Sequence, residues 1–394
     1  MSANAKAAAL IGAAGPVWTG MAPLAQLLAA RGRPARTLLH AGPPFGSLAA
    51  VPQPVRNSAL QAILFEGWAD SLETAADVFD AGAVNFEPAQ DNDCLVPLAG
   101  VVSPSMQLHV VADPVAGRVQ YAVLNEGMRH CLRVGVIEPG LVEHQRWLHG
   151  PFARWLTERL AAQGPLDLLP LLARALAEGD DGHSRTVAGS ALIAGELLRG
   201  DESGFKVEAE TFLAQCPPFA LNLWMAAAAL SLRAAEGLDG SDAITRAGGN
   251  GIEFGFQTAA EPGRWQTVPG TPPRGPIAAE YRGLPVLAAI GDSAVVDFFG
   301  LGGAALRHAP LTLDGLEGFA PDDVLDRPAA LMESEHPRLP IRTGVSATRI
   351  AQAGVSPVVL LGMIEGQGLE GRIGGGAFEP SVAAFEYSLI EQVA

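Results

Sequence analysis

Carboxylates lie inside apolar, glycine-flanked sequence at two places in the C-terminal part of the chain. NGIEFGFQ carries Asn250 and Glu253, and GDSAVVDFFGLGG carries Asp292 ahead of Gly302 and Gly303. Burying a charge is costly unless a partner compensates it, so polar groups kept in such sequence predict a functional site. Asn250 and Glu253 have the chemistry to orient a carbonyl or amide group. Glu253 or Asp292 could act as a base, and the glycine pair offers backbone N–H groups.

A second polar cluster precedes a predicted helix in GDDGHSRTVAGSALIAGELL, which begins at residue 179. Ser184 or Thr186 is placed to cap that helix, which leaves N–H groups and the positive end of the helix dipole facing the turn. Arg185 adds a bidentate anion donor and His183 a group that can titrate near neutral pH, with two preceding aspartates to orient either one. The alternative is a solvated helix cap whose charges pair with one another.

Isolated polar residues occur at further places. Asn125 and Glu126 directly follow the predicted strand in YAVLNEG, and strand ends are where α/β proteins place polar site groups. An ordinary strand-to-helix cap is the alternative for this pair. Asn222 stands alone among apolar residues in FALNLWMAAAA, where a buried amide more often bonds backbone groups than ligands. Arg342, and Arg372 beside the glycine run of GRIGGGAF, could complete a pocket for a small anion.

The composition excludes several classes of function. The 394 residues carry a formal net charge of −16, and Lys6 and Lys206 are the only lysines. Because nucleic-acid binding needs clustered positive charge, we expect no nucleic-acid partner, and we expect neither a Walker-type phosphate loop nor a lysine Schiff base. Any anionic substrate must be held by arginines and backbone N–H groups. The apolar N-terminal run stops at Gly15-Pro16, too short to span a membrane, so we expect no membrane partner.

We also predict a protein without metal or cofactor. Glu87, Asp91 and Asp93 are carboxylates at loop spacing but lack the residue order of a calcium loop, so a polar loop between strands is favoured. The cysteines are few and scattered, which gives neither a disulfide framework nor a zinc knuckle and fits a reducing cytoplasm. The sequence contains no G-x-S-x-G elbow and no H-E-x-x-H helix.

The elements that must position these groups change in character along the chain. Residues 1–138 alternate short apolar strands with helical patterns, including a buried strand at 37–44 and a helix capped by Ser58. Residues 139–236 have apolar positions three and four apart, which predicts helices. Residues 237–394 are rich in Gly and Pro and carry strand-like IEFGFQ, SAVVDFF and SPVVLLGMI. We therefore predict a multidomain α+β or α/β chain in which two mixed α/β domains flank a helical middle region.

The order of several motifs resembles the YlbE-like proteins. The motifs are LLHAGPP, ILFEG, PLAGVVSPSM, LNEG, the GD-x-x-H-x-R turn, NGIEFG, GDSA, GLGG, RTGVSATRIAQAGVSPVV and IGGGAFEP. The resemblance runs from about Trp18 to Tyr387, and several of the motifs are individually specific. On these residues the chain is identified as a member of that family.

The resemblance implies a carbamoyl-transfer function. One YlbE-like protein is similar to a subunit of the bacterial oxamate carbamoyltransferase of allantoin degradation, a complex that exchanges a carbamoyl group between oxalurate and phosphate, giving oxamate and carbamoyl phosphate. Carried over to this chain, it makes His183 an acid–base group or phosphate contact, Arg185 the anion clamp, and Asp292 a supporting or basic group. Asn250 and Glu253 would orient the carbamoyl group.

The resemblance also implies partners. They are a small anionic substrate and either companion subunits, including one like the neighbouring FdrA, or further copies of this chain in a homo-oligomer. A cytoplasmic location is expected. Two other functions stay open, namely a non-catalytic subunit of an FdrA-type complex and a hydrolase of a cyclic amide or ureido acid.

The chain departs from the expected family pattern in two loops. Residues 89–93, Ala-Gln-Asp-Asn-Asp, stand where a histidine-rich loop is expected. Residues 181–185, Asp-Gly-His-Ser-Arg, stand where Glu-Cys-His-Asn-Arg is expected. His183 and Arg185 match the pattern, whereas the loop histidines are absent. If those histidines bind metal or carry protons in relatives, this chain has a different substrate or a lost activity.

Overall fold

The N-terminal part of the chain forms two sheets with helices packed against them. The structure, a computed structural model, describes residues 1–391, so residues 392–394 of the predicted C-terminal region lie outside it. The strands are β1 (Val17–Pro23), β2 (Thr37–His40), β3 (Asn85–Pro88), β4 (Val101–Val102), β5 (Gln107–Asp113) and β6 (Arg118–Val123). The helices are α1 (Ala3–Ala13), α2 (Leu24–Ala30), α3 (Gln53–Phe65) and α4 (Leu72–Asp80). β5 pairs antiparallel with β1 and β6, while β2 lies between a parallel β3 and an antiparallel β4.

The middle of the chain is helical. Its helices are α5 (Leu141–Trp147), α6 (Ala153–Gln163), α7 (Leu168–Ala177), α8 (Val187–Leu198), α9 (Lys206–Ala214) and α10 (Phe219–Leu232). The two-residue strand β7 (Leu166–Asp167) extends the first sheet by pairing with β1. Every residue of α10 except Leu221 is buried, so this helix lies inside the protein and can carry Asn222 to an internal site.

No single helix within residues 1–391 has both the length and the apolar character needed to cross a membrane. One pair, Lys206–Ala214 with Phe219–Ala235, meets that requirement only when taken together, and it is bent by 79° at its break.

Short strands and short helices make up the chain after residue 237. The strands are β8 (Ile244–Asn250), β9 (Glu253–Thr258), β10 (Gln266–Pro269), β11 (Ile290–Gly291), β12 (Met332–Glu335), β13 (Arg342–Val345), β14 (Val359–Ile364) and β15 (Arg372–Phe378). The helices are α11 (Ala294–Phe299), α12 (Pro310–Gly315), α13 (Arg327–Leu331), α14 (Ala347–Ala353) and α15 (Val382–Glu391). The order β10-β9-β8-β11 forms an antiparallel sheet, and β12-β13 and β14-β15 are antiparallel pairs. The chain is thus a multidomain α+β protein, as predicted.

Two local predictions were wrong. SAVVDFF is strand-like by composition but forms the helix α11, whose six residues are all buried. A short apolar run does not distinguish a buried strand from a buried helix, because neither shows a polar face. Ser58 does not cap α3, which begins earlier, after Pro52 and with Pro54 in its first turn. The Ser58 hydroxyl instead bonds the carbonyl of Leu132 at 2.6 Å inside the protein.

One hydrophobic cluster takes side chains from all three predicted regions. It includes Ile11 from the first region, Trp155 and Trp224 from the helical region, and Phe256 and Phe299 from the third. Helix α10 contacts α11 on one side and the strands β5 and β6 on another, so the three regions meet around it. The boundaries at 138/139 and 236/237 stay a prediction.

A buried histidine sits in this core. His109 on β5 has no solvent exposure, and neither of its ring nitrogens has a hydrogen-bond partner within residues 1–391. Its ring packs edge-on against Trp18 and Phe219, with centroid distances of 5.0 and 5.9 Å. Burial lowers the pKa of His109 from 6.5 to about 3, because the charged imidazolium would lose its hydration.

We expect His109→Leu to make the protein more resistant to acid. The unfolded chain binds a proton at this histidine below pH 6.5, whereas the folded chain does so only near pH 3. Protonation therefore favours the unfolded chain, and the wild-type protein loses stability as the pH falls from 6.5 toward 3. Relative to the wild type, the variant should therefore gain roughly 2 kcal/mol of unfolding free energy between pH 8 and pH 5. Urea unfolding followed by tryptophan fluorescence at both pH values measures this change. An equal gain in His308→Leu, where the ring bonds the Pro340 carbonyl near the surface, would contradict the assignment to His109.

Candidate active site

Two aspartates organise the loop that precedes α8. The Asp181 carboxylate accepts hydrogen bonds from the backbone N–H of His183 and of Ser184, both at 2.7 Å, and from the N–H of Arg185 at 3.2 Å. The Asp180 carboxylate accepts from the N–H groups of residues 188 and 189, at 3.2 and 2.8 Å. These backbone hydrogen bonds to the two carboxylates fix the conformation of the loop.

The predicted capping of α8 was wrong in its detail. Thr186 stands at the N-cap position but makes no side-chain capping bond. The N-terminal amides of the helix bond instead to Asp180, whose carboxylate suits the positive end of the helix dipole. Because this anion is internal, the end of α8 is not free to bind a substrate anion.

The imidazole of His183 bonds to a buried aspartate. His183 Nδ1 lies 2.6 Å from Oδ2 of Asp297, which is completely buried on α11. The other carboxylate oxygen of Asp297 accepts the N–H of Gly303 at 2.8 Å and the N–H of Leu360 at 3.1 Å. The carboxylate thus has donors on both oxygens, and it fixes the orientation of the ring. Nε2 of His183 has no hydrogen-bond partner within residues 1–391 and is the atom left for chemistry.

His183 lines a small chamber that adjoins a larger one. The inner chamber, of about 80 Å³, is bounded by polar side chains that include Asn125, Arg133, His183, Asn222, Ser293 and Arg372. The outer chamber, of about 440 Å³, is bounded among others by Arg185, Val187, Leu311, Leu316 and Arg372. Met128, Ser184, Pro218, Leu360 and Arg372 line both chambers, so the two lie side by side.

The chambers are positively charged in a strongly acidic protein. Arg133, Arg185 and Arg372 line them, and no Asp or Glu side chain does so among the described residues. The chain as a whole has a formal net charge of −16, so the excess of arginines over carboxylates in the chamber walls is opposite to the charge balance of the whole chain. A concave site lined by guanidinium groups without carboxylates is suited to anionic ligands.

The three arginines are held differently. Arg133 Nη1 lies 3.3 Å from the Glu126 carboxylate. Arg185 Nε is buried without a hydrogen-bond partner and lies 3.9 Å from Asp180, beyond hydrogen-bond distance. Arg372 is an exposed residue whose Nε bonds the Gly374 carbonyl, while its guanidinium lies in the chamber wall. That partial desolvation, and then repulsion from Arg133, lower the pKa of Arg372. The Nη atoms of Arg185 and Arg372 have no hydrogen-bond partner among the described residues, so they can donate to a ligand.

Asn125, Glu126 and Asn222 support the inner chamber from behind. Asn125 Nδ2 donates to Oδ1 of Asn222 at 3.1 Å and to the Pro218 carbonyl at 2.8 Å. Asn222 Nδ2 donates to the Val123 carbonyl at 2.7 Å. The Glu126 carboxylate accepts from Arg133 and from the Leu132 N–H. These predicted site residues lie at or beside the chamber, but their polar atoms are largely used within the protein.

Asn250, Glu253 and Arg342 lie elsewhere. Asn250 Oδ1 accepts the N–H groups of Ile252 and Glu253, at 3.0 and 2.8 Å, and so shapes the turn between β8 and β9. The Glu253 carboxylate accepts from the Thr267 hydroxyl at 3.1 Å on the neighbouring strand. Arg342 bonds to Glu335 across β12 and β13. None of these three predicted residues lines either chamber.

Asp292 lies beside the inner chamber without lining it. Its buried carboxylate accepts from the N–H groups of Gly42 and Val96, both at 2.9 Å, and from Gln90 Nε2 at 2.7 Å. Burial raises the pKa of Asp292 to about 7. The residue thus ties the loop before α11 to three N-terminal segments, and it places the next residue, Ser293, in the chamber wall.

The two predicted glycines, Gly302 and Gly303, lie against the Asp297 carboxylate that bonds His183. Gly302 donates its N–H to the Asp181 carbonyl at 2.8 Å, and Gly303 donates to Asp297. Gly302 has φ of +55°, and a Cβ there would lie 2.1 Å from Oδ1 of Asp297. Only glycine fits this approach without moving the carboxylate.

Comparisons with known proteins agree on one family. A family model described as oxamate carbamoyltransferase subunit AllG matches residues 84–293, more than half of the chain. The oxamate carbamoyltransferase subunit AllG of Escherichia coli (strain K12) is 29% identical over 406 positions, covering 98% of this chain and 96% of the relative. YahG of the same organism, described as uncharacterized, is 30% identical over 375 residues, covering 91% of this chain and 79% of that protein. This chain belongs to the AllG family.

The fold is also that of a solved structure. A crystal structure of a conserved protein of unknown function from Enterococcus faecalis V583 superimposes with a TM-score of 0.93 at 27% sequence identity, covering 99% of this chain and 97% of that chain. The family membership predicted from the motifs is confirmed. Within this chain, the region matched by the AllG model contains His183 and Arg133, whereas Asp297 and Arg372 follow its end at residue 293.

Sequence reasoning did not name Asp297 and Arg133 as candidate site residues of this AllG-family chain. Asp297 lies in the same apolar run as Asp292, and the cost of burying a charge applies to it equally. The motif GDSAVVDFFG therefore indicated that Asp297 could be a buried polar site residue. Because the motif was interpreted as a strand, nothing distinguished Asp297 from Asp292. Arg133 had no comparable indication, because its sequence neighbourhood resembles an ordinary turn.

Proposed function

We propose that this AllG-family chain is a cytoplasmic carbamoyl-transfer subunit, which acts on a small ureido acid of the oxalurate type together with phosphate or carbamoyl phosphate. The observation that carries the proposal is the adjoining pair of chambers, lined by three arginines and His183 and by no carboxylate among the described residues. The name of the similar E. coli protein, an oxamate carbamoyltransferase subunit, supports the same reaction class.

His183 is the proposed acid–base group. When phosphate attacks the carbamoyl carbon of oxalurate, a phosphate oxygen forms the new bond and the bond from that carbon to the oxamate nitrogen breaks. The departing nitrogen needs a proton, which His183 can deliver from Nε2; in the reverse direction the same atom accepts it. Asp297 is a positioning residue, because it holds Nδ1 at 2.6 Å and so keeps Nε2 directed away from the protein interior.

The arginines are the proposed anion contacts. Both the ureido acid and phosphate are anions, and a transfer reaction requires them to lie side by side despite their repulsion. Arg133 and Arg372 line the inner chamber, and Arg185 lines the outer one. Guanidinium groups bind carboxylate and phosphate oxygens in pairs, which also fixes their orientation. Glu253 lies outside both chambers, so the proposal gives it no part in proton transfer.

The test is phosphate-dependent breakdown of oxalurate. The purified chain would be assayed for carbamoyl phosphate formation, alone and mixed with an FdrA-like protein as the proposed companion subunit. Turnover in either preparation that is lost in His183→Ala supports the proposal. Turnover by the mixture that persists with His183→Ala would assign the chain a non-catalytic role, and the absence of phosphate dependence would favour a hydrolase.

We expect Gly302→Ala to lower kcat at least tenfold. The new methyl group would meet Oδ1 of Asp297 at 2.1 Å and must displace it, which disturbs the position of His183. Misplacement of a catalytic group by about 1 Å is enough for losses of this order. Steady-state kinetics measures the effect, and Gly204→Ala, which meets no atom within 4 Å, is the matched control. Unchanged kcat in a folded Gly302→Ala protein would show that the His183–Asp297 geometry does not limit the reaction.

A further inference from the structure

The outer chamber is much larger than the proposed reaction centre needs. The outer chamber has a volume of about 440 Å³, against about 80 Å³ for the inner one. Oxalurate, oxamate and phosphate are small and strongly polar. A volume near 440 Å³ lies in the range of pockets that bind larger organic ligands.

The walls of the outer chamber are largely apolar. Met128, Val187 and Leu311 line it with 57%, 44% and 67% of their surface exposed, whereas Leu316 and Leu360 are almost completely buried. These side chains come from separate segments of the chain and form an apolar wall along an open depression. An apolar group that packs against this wall would lose part of its contact with water, which favours binding.

The polar groups of the outer chamber are few. Arg185 and Arg372 are the charged side chains that line it within the described residues. The Thr312 hydroxyl donates to Asp181 at 3.0 Å and so has its hydrogen used. Arg372 also lines the inner chamber, so it stands where the two spaces join. A ligand carboxylate bound to Arg372 would therefore lie between a polar space at His183 and an apolar space beyond it.

We infer that the site accepts, besides acids of the oxalurate type, N-carbamoyl α-amino acids with a large apolar side chain. Three groups on one carbon then match three parts of the site: the ureido group enters the inner chamber, the carboxylate binds Arg372 at the junction, and the side chain fills the outer chamber. The assignment of the ureido group rests on the proposed carbamoyl transfer. The apolar side chain rests on the outer chamber alone, and it distinguishes this substrate from oxalurate, which has none.

The test compares two ligands that differ only in the apolar group. Calorimetric titration of the purified chain with N-carbamoyl-L-phenylalanine and with N-carbamoylglycine measures both affinities without turnover. Burying the benzyl group should give at least tenfold tighter binding of the phenylalanine derivative. Leu311→Ser should bring the ratio of the two affinities toward one. Leu369→Ser, which removes a leucine of similar exposure that lies outside both chambers, should leave the ratio unchanged.

The outcomes separate this inference from the proposed reaction. A high affinity ratio that falls only in Leu311→Ser supports the inference even when no carbamoyl transfer is detected, and in that case the proposed reaction fails by itself. Equal affinities for the two ligands in the wild type would overturn the inference. It would equally be overturned if Leu311→Ser kept the ratio but abolished copurification with the FdrA-like protein, because the apolar walls would then seat a partner.

Discussion

Replacing His183 by alanine is expected to reduce kcat for carbamoyl transfer by about 10² to 10⁴, the range supplied by a positioned acid–base group. The physical reason is the arrangement of the ring: Nδ1 is committed to Asp297 at 2.6 Å, and Nε2 has no partner within residues 1–391. The described residues that line the two chambers include no second histidine, so no other imidazole can replace this ring. Phosphate-dependent oxalurate breakdown under saturating substrate measures the loss.

Asp297→Asn provides the companion measurement. An asparagine at this position can still accept hydrogen bonds from the N–H groups of Gly303 and Leu360 through its side-chain oxygen. Its amide nitrogen, however, cannot accept a hydrogen bond from Nδ1 of His183. The favoured tautomer of His183 then changes, and both kcat and its pH profile should shift. If the two residues act as a unit, the double variant His183→Ala/Asp297→Asn should be no slower than His183→Ala alone. Fully additive losses, in proteins with wild-type circular dichroism, would contradict the assignment.

Most of the fold class followed from local patterns. The spacing of apolar residues over 139–236 predicted helices, and α10 is buried on all sides because its polar residues are almost absent. The same property made α11 unpredictable: AVVDFF has no polar face, so no period of 3.6 or 2 is visible. Ser58 shows the reverse problem, since a good capping residue at a plausible position was overridden by Pro54, which favours the first turn of a helix.

Only part of the site was predictable, because the prediction relied on the chemistry of single residues. His183 and Arg185 were recognised as chemical groups in a helix-preceding loop, and the structure places both on the chambers. In the sequence, Asn250 and Glu253 were candidates of the same kind as His183 and Arg185. In the structure, their polar atoms form hydrogen bonds within the turn after β8 and to the neighbouring strand. Which polar residue faces a cavity depends on contacts between distant segments. The bond between residues 183 and 297 joins positions 114 apart, and no local pattern encodes it.

Removing the arginines is expected to have the second largest effect. Charge-assisted hydrogen bonds contribute about 1.5–3 kcal/mol each, so Arg185→Ala or Arg372→Ala should raise KM for the ureido acid at least tenfold, and the double variant about 10² to 10⁴. The expectation rests on their position in the chamber walls: both arginines line the outer chamber, and Arg372 has no carboxylate partner within residues 1–391. Because these contacts exist in the bound ground state as well as in the transition state, kcat should change much less than KM.

Arg282→Ala is the matched control, since it removes the same charge from an exposed residue that lines neither chamber. A loss of net positive charge also weakens anion binding by long-range attraction, but that effect is screened within about 10 Å at 0.1 M salt and weakens further as the salt concentration rises. KM measured at two salt concentrations therefore separates the two causes. A tenfold rise in KM that also appears in Arg282→Ala, or that disappears at high salt, would mean that the chamber arginines act at a distance and do not contact the substrate.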